Sequence, residues 1–414
     1  MKEIKRTLVV PLIIIGITFF VAGFGVGISG FLTPALKDAL HLTTSGSYLV
    51  TAAIFSAFVI FGSPAAWVIR KIGYKRSMMI AFFIMSVGML LFIPSAKAVS
   101  FPLFLVALFV GGIGNTLLQA SVNPYVTICG PEESAATRMS LMGIMNKLAW
   151  WIAPLFLGLF IDLQDVRLGD VSLPFFIAGM VLAILAVFIY FAPLPEVSAI
   201  GEDEPVTESG TYENKKSALQ YPHLLLGVLA LFLYVGIETL PMASAIDFAN
   251  VAFSNPENPE RFSLYVTIGL IAGYVFGVIA IPKVITQSKA LQLFALIGIV
   301  SSLFLILAPV NYAFYGIMLI SFANSIMWPA IWPLAISGLG PFTKQGASFL
   351  VMAIFGGAVI PIIFGIWVDG LIEKGTNLSM AYQTAYWLLV PCYIYILFYA
   401  FAGHKIGRNT NGKK

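Results

Sequence analysis

Long apolar segments alternate with short polar ones along the whole chain. A bilayer-spanning helix needs about 20 consecutive apolar residues, and the pattern predicts twelve such helices. They lie at roughly 8–33, 46–69, 77–95, 101–127, 138–161, 173–193, 221–248, 262–282, 289–308, 312–338, 346–369 and 380–403. The longest polar connection, 195–220, divides them six and six. We therefore predict an all-α integral membrane protein with two six-helix bundles, 1–194 and 221–414, joined by a linker without a core of its own.

Composition agrees with a membrane protein. Hydrophobic residues make up 59% of 414 positions and charged residues only 10%, with a mean hydropathy of +0.94. A soluble chain of this length needs far more surface charge. The net charge of +4 is small and dispersed, so we expect the lipid bilayer as a partner and no nucleic acid.

Lysine and arginine positions predict the orientation of the helices. In one orientation, 17 of the 23 basic residues lie on the cytoplasmic side and five in the opposite loops. Lys147 is the remaining one and lies within a predicted helix. The positive-inside rule then predicts that both termini and the 195–220 linker are cytoplasmic.

The two halves repeat each other at a distance of about 205 to 210 residues. The matching features are Asn123-Pro124 and Trp328-Pro329, the hinges Gly130-Pro131 and Gly340-Pro341, and a PxxxGxxxD pattern that ends at Asp162 and at Asp369. Parallel repeats of six spans are typical of two-bundle transporters, whose solute site lies near the midplane between the bundles.

Polar residues inside the fourth and fifth spans are candidates for that site. Four of them, spaced by four along one helical face, are Asn115, Gln119, Asn123 and Thr127, and Asn146 and Lys147 follow in the next span. Such side chains are costly in a bilayer and must face polar groups. They either join helices to one another or line a water-filled cavity for a polar solute.

The seventh span contains a charged residue, Glu238, with Tyr234 one turn before it. A charge at this depth costs about 2.5–3.5 kcal/mol on insertion scales. Glu238 either forms a buried ion pair with Lys147 or binds a cation or a sugar hydroxyl, and these roles are compatible if ligand binding breaks the pair. Lys147 could likewise balance this charge or donate to sugar oxygens.

The tenth span contains Asn324, Trp328 and Trp332, spaced by four. Flat aromatic walls combined with amides match the apolar faces and polar edges of a sugar. The alternative is an aromatic belt at the membrane interface, which the neighbouring prolines and the depth of the residues disfavour.

The segment LQASVNPYVTICGPEESAATRMSLMGIMNK at 118–147 resembles the fucose–galactose–glucose cation symporters of the major facilitator superfamily, and the resemblance covers essentially the whole chain. It implies the two-bundle fold, a bacterial inner-membrane location and a monosaccharide substrate. The superfamily's loop motif after the second span survives in part as Arg70, Lys75 and Arg76, which implies a gating role for these residues. Asp162 and Asp369, at helix ends near the outer surface, are candidates for structural or gating roles.

The resemblance also bears on coupling. Two carboxylates of the proton-coupled fucose symporters correspond here to Gly30 and Gln119, neither of which can titrate. Glu238 stands where those symporters have an amide. The resemblance therefore implies coupling through Glu238, to Na⁺ or to a proton, while transport without a co-ion stays open.

We expect a monomeric permease that is not an enzyme and has no bound cofactor or metal. One alternative is a proton-coupled exporter of amphiphilic compounds, although the amide stripe disfavours the apolar pocket that such an exporter needs. Another is an uncoupled sugar facilitator. A sugar sensor that does not transport would need a signalling domain, and no loop or tail is long enough to contain one.

Overall fold

The computed structural model describes residues 7–39, 44–157, 159–160, 172–198, 202, 215–253 and 263–408, most of which are helical. The helices of the first half are α1 (Val9–Ala39), α2 (Thr44–Lys97), α3 (Phe101–Ile128), α4 (Ala135–Leu157) and α5 (Ser172–Phe191). Those of the second half are α6 (Pro222–Ala252), α7 (Ser263–Ala280), α8 (Gln287–Leu307), α9 (Val310–Asn324), α10 (Met327–Ile336), α11 (Thr343–Met352), α12 (Gly356–Glu373), α13 (Leu378–Ala385) and α14 (Leu389–Phe401).

These helices account for the twelve predicted spans. Among the described residues, eight helical stretches are long and apolar enough to cross a membrane, and α1 and α7 contain shorter apolar helices. The second and third spans form one 54-residue run, α2, which kinks at Gly73. Gly73 has φ 81 and ψ 173, a backbone conformation that a side chain disfavours. With α4 as the fifth span, the predicted all-α fold is confirmed.

The last three predicted spans are each broken in two rather than continuous. The tenth breaks between α9 and α10, where Pro329 cannot donate to the carbonyl of Ser325 four residues earlier. The twelfth breaks between α13 and α14, where Pro391 leaves the Trp387 carbonyl without its helical donor in the same way. The eleventh passes through a short 3₁₀ turn, Ala353–Phe355, between α11 and α12.

Parts of the linker pack on the bundles. Val197 is buried, and the Tyr125 hydroxyl donates to the Pro195 carbonyl at 2.8 Å. Val197 is an apolar anchor within a segment rich in acidic residues. It continues the first bundle beyond the end of α5.

Small residues bring the two bundles together at the end that carries the Gly130 and Gly340 hinges, here called the hinge end. The Ser348 hydroxyl of α11 donates to the Gly62 carbonyl of α2 at 2.6 Å. A Cβ added to Gly277 of α7 would lie 2.7 Å from the Ser140 hydroxyl oxygen of α4. The α2–α11 and α4–α7 pairs occupy equivalent places in the repeat, so the closure has approximate two-fold symmetry.

Charged residues reinforce this closure. Lys344 Nζ of α11 lies 2.9 Å from Oε1 of Glu202 in the linker. Arg408 Nη2, beyond α14, lies 3.6 Å from Oε1 of Glu132 in the first bundle. Ser337 hydrogen-bonds with both Glu132 and Arg408. The hinge end of the molecule is therefore closed in this structure.

Candidate functional site

The site begins with two amides on α3 and an indole on α10. Asn123 Nδ2 donates to Gln119 Oε1 at 2.7 Å, because residues four apart face each other on a helix. Trp328 Nε1 donates to Asn123 Oδ1 at 3.4 Å across the bundle interface. Gln119, Asn123 and Trp328, all predicted site residues, thus lie together between the bundles.

Aromatic rings extend this group within the second bundle. Trp328 and Trp332 stack with ring centroids 5.3 Å apart and planes at 27°. The Tyr234 ring of α6 lies 6.3 Å from that of Trp328. Trp332 is fully buried and its Nε1 has no hydrogen-bond partner, whereas Trp328 is half-buried. Trp328 is therefore the indole that a solute between the bundles can reach.

A second polar group, on α4 and α6, joins the bundles through an ion pair. Lys147 Nζ lies 3.5 Å from Glu238 Oε1, and the two side chains are 10% and 14% exposed. The same ammonium lies 5.3 Å from the centroid of the Trp150 ring. The expected ion pair thus forms, and Trp150, which the sequence analysis did not single out, belongs to this group.

Tyrosines surround Glu238. Tyr234, one turn before it on α6, is fully buried and lies in the field of the Glu238 carboxylate. Tyr274 is 4% exposed and lies in the field of the same carboxylate. The sequence singled out Tyr234 but not Tyr274. Little in the sequence points to Tyr274, because α7 carries no charge and the tyrosines of α7 resemble ordinary membrane aromatics.

Two of the predicted amides, Asn324 and Asn146, hydrogen-bond to neighbouring helices rather than to the Gln119–Asn123 pair. Asn324 Nδ2 donates at 3.0 Å to the Ile237 carbonyl, which lacks its helical donor because Pro241 has no N–H. Asn324 Oδ1 accepts from the Tyr393 hydroxyl at 2.8 Å, so this amide braces α6 beside Glu238. Asn146 Nδ2 donates at 3.4 Å to the Phe19 carbonyl of α1.

Asn115, two turns before Asn123 on α3, is 8% exposed, and its Oδ1 has no hydrogen-bond partner. A buried amide oxygen without a donor is costly, which makes it a candidate acceptor for a solute hydroxyl. Its role as a site residue stays a prediction, as do those of the other residues of the site. Within the described part of the chain, no cluster of three or more His, Cys, Asp or Glu side chains could hold a metal ion.

Comparison with known proteins agrees with this arrangement. Residues 15–365 match the model of the Major Facilitator Superfamily. The chain belongs to this superfamily. It is 33% identical over 396 residues to the glucose/galactose transporter of Brucella abortus, covering 94% of this chain and 92% of that relative. It is 31% identical over 406 residues to the putative glucose/galactose transporter of Helicobacter pylori, covering 95% and 96%.

The superfamily fold is also evident in a solved structure. The crystal structure of the transporter FucP in the outward conformation superposes with a TM-score of 0.80 at 24% identity, covering 94% of this chain and 98% of that one. The full-length relatives at 31% and 33% identity confirm the predicted family of fucose, galactose and glucose symporters.

The predicted gating residues lie at the surface. Arg70 and Arg76, near the Gly73 kink of this superfamily member, are exposed, whereas Lys75 Nζ donates to the Ala192 carbonyl at 2.7 Å. Asp369 is exposed near the end of α12. Asp162 lies outside the described residues.

The kink itself is held by a residue that the site prediction omitted. The Tyr74 N–H donates to Glu196 Oε2 at 3.1 Å, and a Cβ on Gly73 would lie 2.7 Å from either oxygen of that carboxylate. Glu196 therefore ties the loop between the second and third spans to the start of the linker.

Proposed function

We propose that the protein is a monosaccharide permease that takes up glucose, galactose or a related sugar by alternating access. Its two bundles would rock about a site between them, as in other transporters built from repeats. The relatives named glucose/galactose transporter, which match nearly the full chain, support a hexose as substrate.

The observation that carries this proposal is the contact between Trp328 and the amide pair of Gln119 and Asn123. A sugar presents apolar C–H faces and hydroxyl edges, so a stacking ring beside amides offers both kinds of contact. The amides come from one bundle and the ring from the other. A solute bound here contacts both moving parts, and its binding can differ between the two states.

We further propose that uptake is coupled to a co-ion, sodium or a proton, at Glu238. The carboxylate lies beside Lys147, whose ammonium occupies the place that a cation would take. A co-ion that replaces this ammonium would release Lys147 from the pair. Because Lys147 and Glu238 belong to different bundles, the exchange would alter how the bundles hold each other.

The distribution of basic residues supports a cytoplasmic hinge end and cytoplasmic termini. In that orientation, the structure represents the state closed toward the cytoplasm. We test the orientation with two exposed positions, Lys216 in the linker and Lys374 beyond α12. A cysteine replacing Lys374 should react with an impermeant thiol reagent in intact cells, whereas one replacing Lys216 should react only in inverted vesicles. The reverse labelling pattern would show that the protein has the opposite orientation in the membrane.

Uptake by purified protein in liposomes tests the function. Radiolabelled D-glucose, D-galactose and L-fucose would be offered with and without imposed sodium and proton gradients. We expect saturable uptake of at least one sugar, accelerated by one of the two gradients. Sugar entry at the same rate into liposomes with and without the protein would refute the permease. Uptake that neither gradient accelerates would indicate an uncoupled facilitator.

A further inference from the structure

A surface cavity of about 270 Å³ lies at the hinge end of the molecule, beside the kink at Gly73. Side chains from the beginning of the third span, from the end of α5 and from the residues after α5 line this cavity: Lys75, Arg76, Met79, Tyr190 and Glu196. The lining shares no residue with the polar groups around Trp328 and Glu238. The cavity is therefore separate from the site between the bundles.

Hydrogen bonds hold the walls of this cavity in place. Lys75 Nζ donates to the Ala192 carbonyl at 2.7 Å, and the Tyr74 N–H donates to Glu196 Oε2 at 3.1 Å. Both bonds join the beginning of the third span to the segment that follows α5. These residues all precede the second bundle in the chain, so the cavity keeps its shape when the bundles rock. A largely preformed cavity is typical of a binding site.

The charge of the lining favours an anion. Arg76 is exposed and has no ion-pair partner among the described residues, so its planar set of donors is available. The Lys75 ammonium has three N–H donors and uses one on a backbone carbonyl. Glu196 contributes one negative charge, whereas the exposed Arg70 and Lys71, just before the kink, add two positive ones. A guanidinium beside an ammonium suits the oxygens of a phosphate.

The surface next to the cavity, toward the middle of the spans, is apolar. Phe83 follows Met79 by one turn of α2 and is exposed, and Val187 precedes Tyr190 by three residues on α5 and is exposed as well. Tyr190 is itself exposed at the end of its span, where aromatic side chains mark the membrane interface. The cavity thus lies at the level of the lipid headgroups, directly above a lipid-facing surface.

We propose that this cavity binds the headgroup of an anionic phospholipid. Arg76 and Lys75 bind the phosphate, and the acyl chains lie along Phe83 and Val187. Basic pockets between spans on the cytoplasmic side suit such headgroups, and the hinge end is the side that we propose to be cytoplasmic. A soluble phosphate compound gains nothing from the apolar surface, which favours a lipid as the ligand.

Native mass spectrometry of the full-length protein in detergent tests this site, with palmitoyl-oleoyl phosphatidylglycerol as the probe. We expect the wild type to bind this lipid more tightly than phosphatidylcholine, whose headgroup has no net charge. Arg76→Gln changes an exposed side chain without an ion-pair partner, so the variant should fold normally. It should raise the dissociation constant for phosphatidylglycerol about tenfold, as for one lost charge-assisted hydrogen bond.

Lys283→Gln is the matched control, since it removes one exposed positive charge at the hinge end of the second bundle. It should retain the wild-type affinity for phosphatidylglycerol. Glycerol 3-phosphate, a soluble compound with a similar phosphate group, should not displace the lipid when added at the same concentration.

Three results would overturn the proposal. Equal affinity of the wild type and Arg76→Gln for phosphatidylglycerol would show that the cavity does not bind its headgroup. Equal loss in Arg76→Gln and Lys283→Gln would show a general attraction between the lipid and a basic surface. Displacement by glycerol 3-phosphate would show a site for soluble phosphate compounds instead. Since none of these measurements involves a sugar, each result leaves the proposed permease unaffected.

Discussion

The indole of Trp328 hydrogen-bonds to the amide of Asn123, a residue at the equivalent place in the other half of the chain, 205 positions away. Each residue directly precedes the proline of its repeat. Equivalent residues of two halves meet only close to the axis that relates the halves. The Asn123–Trp328 contact therefore marks this pseudo-two-fold axis, where a bound solute is accessible from either end as the bundles rock.

Removal of the amide or of the ring should weaken sugar binding. Gln119→Ala removes the partner of Asn123 Nδ2 as well as a direct donor, and Trp328→Ala removes the stacking surface. Each should cost about 1–3 kcal/mol of binding free energy, measured by calorimetry. Trp67→Ala is the control, since Trp67 is 57% exposed on α2. Wild-type affinity in both site variants would remove Gln119 and Trp328 from the site.

The sequence predicted the spans and the repeat well because bilayer thickness imposes a strong periodic signal. It predicted the Lys147–Glu238 pair because two opposite charges within spans need each other. It missed the breaks of the last three spans, since prolines also occur inside continuous membrane helices, as Pro124 does in α3.

Tyr274 was missed for a different reason. Its contact with the opposite bundle depends on the packing of α7 against α4. Gly143 of α4 leaves room for the Tyr274 ring because it has no side chain. Nothing in either local sequence relates the two positions. The role of Asn324 was equally hidden, because it depends on a carbonyl that Pro241 leaves free on another helix.

Closure of the hinge end should depend on glycines at the two symmetric contacts. A Cβ at Gly62 would lie 2.3 Å from Cγ of Met352, and one at Gly277 would lie 2.7 Å from Oγ of Ser140. Such overpacking costs about 1–3 kcal/mol. Alanine at either position should therefore shift the equilibrium toward an open hinge end.

Spin labels on cysteines that replace the exposed Lys71 and Lys283 would report this shift. Double electron–electron resonance should show a larger population of long distances between the two labels. Gly370→Ala is the control, because an added Cβ there meets nothing within 4 Å. An unchanged distance distribution in both the Gly62 and Gly277 variants would contradict the prediction.

Arg138 should be essential for the stability of the hinge between α3 and α4. Its guanidinium, 2% exposed, donates to the carbonyls of Val126 at 2.8 Å and Thr127 at 2.6 Å. It also donates to the Pro131 carbonyl at 3.0 Å. The cation thus lies at the negative end of the α3 dipole.

Arg138→Lys keeps the charge but loses the planar set of donors, and each abandoned buried carbonyl costs about 1–3 kcal/mol. We expect a clearly lower unfolding midpoint in detergent, whereas Arg76→Lys at an exposed position should match the wild type. Equal midpoints for Arg138→Lys and wild type would show that the guanidinium geometry is dispensable.

The ion pair between the bundles should be separable from co-ion coupling. Glu238→Gln alone leaves the Lys147 ammonium buried without its partner, which costs about 3–5 kcal/mol when such a pair is broken. Glu238→Gln combined with Lys147→Gln removes both charges and should recover most of the lost thermal stability.

If Glu238 binds the co-ion, neither variant should concentrate sugar against its gradient in liposomes. Counterflow exchange, which needs no co-ion gradient, should persist in the double variant. Uphill accumulation by the double variant at the wild-type level would assign the pair to stability alone and place the co-ion elsewhere.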